Sequence, residues 1–489
     1  MINAFAILPI LLCACVILIA RLSALAGALI GLITAFLLIL SPTPFTLSLA
    51  HIGGSALDSI LLSLNAALVI LPGLYFSAIL KENGSLATIQ NWVAALSFSP
   101  ERKALLILFG LAPIIESLIG FGISLLITIP LFFHIFPSRT AYRLSMLSMM
   151  TRPWGTLGIA TLMGATLSGQ DAASLGVNSV LLNSLAYPAF GFIALYLIGG
   201  FPTLKHSFLP ALGLSLALMG LLALFNAINL VEISGVLSGA GVFILGFICF
   251  SKRSISPAPQ NHKNLLVAFS FYGLILLLIL MERLIPGLYD TLAHLVVFTS
   301  PHTSFSLLTS PGIVLGLVVL LLFSIKQVTL NHKDLLTRWV RTTAPLFLFI
   351  LLAQIMVRSG MIEAFSQMLS GLPDSILIFC SPLIGMISGF MTGSNMGGNA
   401  LTMSLQSHIG GTLGLNALFS AAQNAGAGDA LFTSIPGIVM ILGLAGEITH
   451  DDEAEKNTKE HHLLSFGLKA ALLIFTCLII PVFTLKGLM

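Results

Sequence analysis

Charge is what this sequence has least of. Of its 489 residues only 8% are Asp, Glu, Lys or Arg, against 57% hydrophobic, whereas a water-soluble chain needs about a quarter of its residues charged. A soluble globule is excluded, and lipid is the expected solvent. Cysteine is scarce as well: Cys13, Cys15, Cys249, Cys380 and Cys477 lie within apolar runs, without the spacing of a metal site or a disulfide framework. The net charge is only +3. With no basic cluster or interleaved aromatics, nothing suggests a nucleic-acid partner. There is no Walker A loop for ATP, no His-Glu-x-x-His pair for a metal and no G-x-S-x-G elbow, so neither an enzyme nor a cofactor is expected. The first apolar run, 5–20, lacks the basic lead of a signal peptide and reads as a span.

What the chain does have is apolar runs long enough to cross a hydrocarbon core of about 30 Å. Twelve crossings fit, near 4–20, 22–40, 56–80, 143–168, 176–200, 207–225, 229–250, 265–285, 306–325, 342–357, 412–446 and 463–486. Two segments remain, 104–136 and 375–406. The first is too long for one ordinary span and carries Pro113, Gly120, Gly122 and Pro130, with Arg102, Lys103, Arg139 and Arg143 flanking both ends. Because Lys and Arg near span ends are retained in the cytoplasm, this segment enters and leaves by the cytoplasmic face, as a re-entrant hairpin. The second, flanked by Asp374 and His408, enters from outside. With these assignments every Lys and Arg except Arg152, Arg283, Arg358 and Lys486 falls on the cytoplasmic face, and both termini are periplasmic.

The two hairpins share an order of residues. P-I-I-E-S-L-I-G-F from Pro113 answers P-L-I-G-M-I-S-G-F from Pro382, and Asn83-Gly84 answers Ser359-Gly360. The chain thus reads as one polytopic domain, 1–489, with repeats at 56–200 and 342–486 joined by helices within 207–325. One hairpin enters from each side, so the repeats are inverted. Paired interrupted segments of this kind are characteristic of secondary transporters, whose substrate sits near mid-membrane where the breaks meet.

Candidate site residues follow from the breaks. The first turn holds Glu116, Gly120, Phe121, Gly122 and Ser124. A carboxylate in mid-membrane is costly enough to be a functional candidate, here for carrying a proton. The next span contains Thr151-Arg152-Pro153-Trp154-Gly155 and should break there, since Pro removes a helical hydrogen bond and Gly weakens the helix. Arg152, deep in the span, needs an anion: a substrate carboxylate held bidentately, Glu116 or Asp429. The second turn, Met391 to Asn399, offers Thr392, Gly393, Ser394, Asn395 and Asn399, hydroxyls and amides without charge. A further break is expected over Gln423 to Asp429, which contains Asn424. Asp429 is a second proton site, a cation ligand or the partner of Arg152.

At these turns the sequence resembles the lactate permease family, proton-coupled carriers of lactate and glycolate in bacterial inner membranes. The family's E-G-A-A-G-F-G-T-P is matched by Glu116, Gly120, Phe121 and Gly122, and its F-L-T-G-S-D-T-S-S-N-A-L by Phe390, Thr392, Gly393, Ser394, Asn399, Ala400 and Leu401. Its S-G-M is matched by Ser359, Gly360 and Met361, and an Asn of its last break by Asn424. The chain departs from the pattern at Asn395, where the family has Asp, and at Arg152, within the usual N-T-A-P-V break. The resemblance implies an all-α integral membrane protein with about twelve transmembrane helices plus two re-entrant hairpins, often a homodimer, that moves a small organic anion such as lactate or glycolate together with a proton. Sodium-coupled carboxylate transport or cation/proton antiport is the alternative within transport. A membrane-embedded enzyme using Glu116 with His134, or a structural subunit, is the alternative from another class.

Overall fold

The computed structural model describes residues 2–120, 122–150, 152–251, 262–300, 302–325, 328–369, 371–449 and 453–487. Phe121 and Thr151 lie outside the described residues, as does the side chain of Arg152. The described chain is helical nearly throughout, apart from a ribbon of two antiparallel strands, Val297–Thr299 against Ser304–Ser306. Its surface is that of a protein bathed in an apolar solvent. Leu37, Ile244, Leu320 and Leu472 face outward, while Asp58, Glu116, Asn399, Asn424 and Asp429 are buried, the reverse of the partition water imposes. This is an α-helical membrane protein.

Among the described residues seven helices are long and apolar enough to cross a membrane, or eight if the bent pair Asn416–Thr433 and Ile435–Gly446 is one span. Hydropathy suggests twelve because it averages over a window and does not register an interruption of the backbone. The run 143–168 is two helices, Ser138–Leu147 and Ile159–Ser168, and the run 176–200 is divided between Ala172–Leu182 and the start of Ala186–Ala227. That last helix is itself kinked at Gly199 and Gly200, just before Pro202.

One succession of elements occurs twice. The long helix Leu49–Glu82 is followed by the short Ser85–Ala94, a helical hairpin with arms 100–119 and Ser124–Ile135, and the broken pair Ser138–Leu147 and Ile159–Ser168. The long helix His332–Arg358 is followed by Met361–Leu369, a hairpin Asp374–Thr392 and Asn395–Thr412, and the pair Asn416–Asp429 and Ile435–Thr449. Both long helices end alike. The N–H of Asn83 donates to the Ile79 carbonyl and that of Ser359 to the Ile355 carbonyl, each at 2.9 Å. A glycine in the left-handed region then turns the chain, Gly84 at φ 75° and Gly360 at φ 80°.

The first hairpin arm is not a uniform α-helix. A π turn occupies Ile107–Leu111, where the N–H of Ala112 donates to the Ile107 carbonyl five residues back. Pro113 has no N–H for the Phe109 carbonyl and its ring would crowd that group, so the wider turn accommodates it. The arm ends at Gly120 (φ 73°, ψ −159°), and Gly122 also has φ 73°. The second hairpin turns more tightly than its polar stretch suggests. Gly393 (φ 61°) closes one helix, with its N–H on the Gly389 carbonyl at 3.0 Å, and the Ser394 hydroxyl caps the next by accepting from the Gly397 N–H at 3.3 Å. Asn395 and Asn399 are therefore helical.

The break expected over Gln423 to Asp429 is displaced. Asn416–Asp429 is continuous helix, and the interruption is the 3-10 turn Ala430–Thr433 with Ser434 extended beyond it. The glycines within this helix allow close packing: a Cβ on Gly426 would lie 2.7 Å from the Pro382 carbonyl, and one on Gly428 2.6 Å from the ring of Pro153.

Candidate functional site

The four interruptions converge. Glu116 from the first hairpin, Thr156 from the first broken pair, Thr392 to Gly397 from the second hairpin, and Pro436 and Gly437 from the second broken pair line a cavity of ≈ 280 Å³. Pockets for drug-sized ligands run about 300–1,000 Å³, so this one suits a smaller solute. Met149, Leu346, Phe349 and Met440 complete its apolar wall, and its mouth lies at Ala24 and the exposed Arg341.

The first break is held against the first hairpin by backbone bonds. The chain from Thr156 to Gly158 runs at φ 55°, 55° and 64°, a conformation costing about 1–2 kcal/mol at each residue with a Cβ. Two bonds offset it: Thr156 N–H donates to the Glu116 carbonyl at 3.1 Å and Leu157 N–H to the Ser117 carbonyl at 2.6 Å. The break thereby satisfies carbonyls that the end of the arm would leave unpaired. Gly120 permits the approach, since a Cβ there would fall 1.6 Å from Thr156 Oγ1. Trp154 is fully buried, and its indole N–H donates to Asn226 Oδ1 at 3.2 Å. The Ser124 hydroxyl donates to Glu116 Oε2 at 2.6 Å, so the returning arm steadies the carboxylate at the cavity wall.

Behind the second turn lies an amide network. Asn424 Oδ1 accepts from Asn399 Nδ2 at 2.9 Å and Asn395 Nδ2 at 3.4 Å, while Asn424 Nδ2 donates to Thr161 Oγ1 at 3.1 Å and Ser179 Oγ at 3.0 Å. Asn399 Nδ2 also donates to the Ala160 carbonyl at 3.0 Å, and the Thr161 hydroxyl to the Pro153 carbonyl at 2.6 Å. One asparagine thus ties the second hairpin to the first broken pair. These bonds join the two walls, while Asn395 Oδ1 and Asn399 Oδ1 are left without a donor among the described residues.

Of the residues singled out in the sequence, Glu116, Thr392, Gly393, Ser394 and Asn395 line the cavity. Gly120, Ser124, Asn399 and Asn424 support the walls from behind, and Gly122 lies against Met440, itself a wall residue. Arg152 belongs by its backbone to the 3-10 turn Arg152–Trp154 beside lining Gly155. Asp429 does not line the cavity; it is buried apart from it. Arg341 and Thr342 do line it, although the charge pattern places Arg341 in a loop. The helix His332–Arg358 begins ahead of the expected span 342–357, so Arg341 is a helical residue. The run Arg341-Thr342-Thr343-Ala344-Pro345, polar groups on a helix entering the membrane, was the available signal.

An α-helical membrane protein whose interrupted helices enclose a small, partly polar cavity is built as a solute transporter. The particular kind follows from comparison. The chain belongs to the L-lactate permease family, whose profile matches residues 3–272 and 268–486, a family of transporters and not of enzymes. It is 23% identical over 364 residues to an L-lactate permease of Streptococcus iniae, an alignment covering 70% of this chain and 77% of that protein. The resemblance read at the two turns therefore extends along almost the whole chain.

Proposed function

We propose that this protein carries a small 2-hydroxymonocarboxylate, L-lactate first and glycolate second, across a bacterial inner membrane by proton symport. The observation carrying this reading is the ≈ 280 Å³ cavity at which both hairpins and both breaks meet, with the hydroxyls of Thr392 and Ser394 and the amide of Asn395 as groups for a hydroxy acid. Arg152 retains its candidacy for the carboxylate, and the exposed Arg341 draws the anion to the mouth. An anion entering a negative-inside cell moves against about 2.3 kcal/mol per 100 mV, and a proton moving with it removes that cost. Glu116 and Asp429 are the candidate carriers of that proton.

The repeated succession of elements supports two repeats, 56–200 and 342–486, each with a hairpin; their inversion, the re-entrant course of the hairpins and the periplasmic termini rest on the distribution of Lys and Arg, and a homodimeric assembly on the family resemblance. In this orientation the cavity mouth, at Ala24 and Arg341, faces the cytoplasm. Uptake of labelled L-lactate and glycolate into proteoliposomes, with and without an inward proton gradient, is the test. Uptake of neither solute removes the substrate claim, and uptake of either that ignores the gradient removes the symport claim. Sodium coupling is a second reading, supported by Asn395 Oδ1, Asn399 Oδ1 and Gln423 Oε1, buried oxygens without a donor among the described residues. Dependence of uptake on sodium at constant pH would select it.

A further inference from the structure

Two buried carboxyls stand near the cavity, and they differ. Glu116 forms part of the wall and accepts from Ser124. Asp429 is fully buried, does not line the cavity, and has no hydrogen-bond partner among the described residues at either carboxylate oxygen. It is the last residue of Asn416–Asp429, directly before the 3-10 turn Ala430–Thr433. An ionised group in this place would have lost its water and gained no donor. Only the neutral acid is compatible with that surrounding.

We infer that Asp429, buried apart from the substrate cavity, is the site that binds the coupling proton, while Glu116 belongs to the fixed wall. This rests on the symport reading above and deepens it.

The surroundings of Asp429 suit a proton that is carried and then released. Cys477 comes from Glu453–Leu485, which packs against Asn416–Asp429, and Tyr187 from Ala186–Ala227. The Tyr187 hydroxyl is buried and also without a partner among the described residues. The turn Arg152–Trp154 brings Arg152 by its backbone, and Trp154 packs edge-on to Tyr187 with centroids 6.4 Å apart. The helices Ile159–Ser168 and Ala172–Leu182 bring no ionisable side chain. The second hairpin contributes Asp374, Cys380 and His408, which lie at or toward the ends of its arms away from its turn. The 3-10 turn Ala430–Thr433 joins Asp429 to the cavity wall, since Leu431 is a lining residue. Movement at that break, when substrate enters or leaves, is the event that exposes the carboxyl. One proton on Asp429 and one monocarboxylate in the cavity make a neutral load.

Two assays separate carrying the proton from holding the fold. In proteoliposomes with equal pH on both sides, exchange of labelled for unlabelled L-lactate requires no proton release; accumulation driven by a pH difference does. A one-unit gradient drives about tenfold accumulation at one proton per anion. Asp429→Asn, which mimics the neutral acid, should exchange within about twofold of the wild type and fail to accumulate. Accumulation by Asp429→Asn overturns the assignment, as does loss of exchange together with accumulation. If the wild type itself ignores the pH gradient, the symport reading fails at that earlier step. A second measurement needs no variant: dicyclohexylcarbodiimide, lipid-soluble and specific for protonated carboxyls, should modify Asp429. Absence of label on Asp429 overturns the inference.

Discussion

Gly120→Ala tests the joint on which the cavity depends. Gly120 sits at φ 73° and ψ −159°, a region essentially closed to residues with a Cβ, and forcing alanine into it costs about 1–3 kcal/mol. The new methyl would also fall 1.6 Å from Thr156 Oγ1 and 2.8 Å from its Cβ, so hairpin and break must separate. Separation strains or breaks the bonds from Thr156 and Leu157 to the Glu116 and Ser117 carbonyls, about 0.5–1.5 kcal/mol each. The sum is roughly 2–6 kcal/mol, a large part of a typical stability of about 5–15 kcal/mol. Thermal unfolding of detergent-purified protein should therefore fall by several degrees, and lactate uptake by tenfold or more. Thr156→Gly in the same chain removes both clashing atoms and relieves the positive φ at 156, so it should restore part of the stability while the backbone cost of the new alanine remains. A Gly120→Ala protein that melts and transports like the wild type would refute the reasoning.

Three further outcomes follow from the structure. Arg341→Ala, at the cavity mouth, should raise the KM for lactate severalfold with kcat little changed, and should flatten the dependence of uptake on ionic strength. Arg358→Ala leaves Asp58 buried without its ion-pair partner, which should destabilise the fold by about 3–5 kcal/mol; adding Asp58→Asn should recover much of this in a thermal melt. For orientation, a cysteine at Asp290 should react with an impermeant maleimide in intact cells, and one at Lys333 only after permeabilisation; the opposite pattern inverts the topology.

The interruptions were legible because they depend on local chemistry. Pro153 and Gly155 mark a break that the structure places between Leu147 and Ile159, and Asn83-Gly84 and Ser359-Gly360 mark two helix ends of one geometry. Legibility failed where glycine has two uses. Gly426 and Gly428 resemble a break, yet they admit the Pro382 carbonyl and the Pro153 ring to an unbroken helix, and only the neighbour decides which use applies. The wall residues Phe349 and Met440 come from segments with no motif of their own; their membership depends on how helices pack. Asp429 was legible as a buried carboxyl. Its separation from the cavity was not, since a one-dimensional pattern does not say which face of a helix meets the solute.

The π turn at Ile107–Leu111 acts on residues it never touches. One residue beyond the α-helical count displaces everything after it by about 100° around the helix axis, so it sets the bearing of Glu116 and of the two carbonyls that receive the break. Deleting a single residue from that turn would leave the same hydropathy and every side chain of the site still present, while Pro113 would lose the wider turn that accommodates it. The carboxylate would then point to another quadrant. A relative can therefore share the whole set of cavity residues and still lack the cavity's chemistry, and spacing between Lys103 and Glu116 is as much a part of the site as the residues themselves.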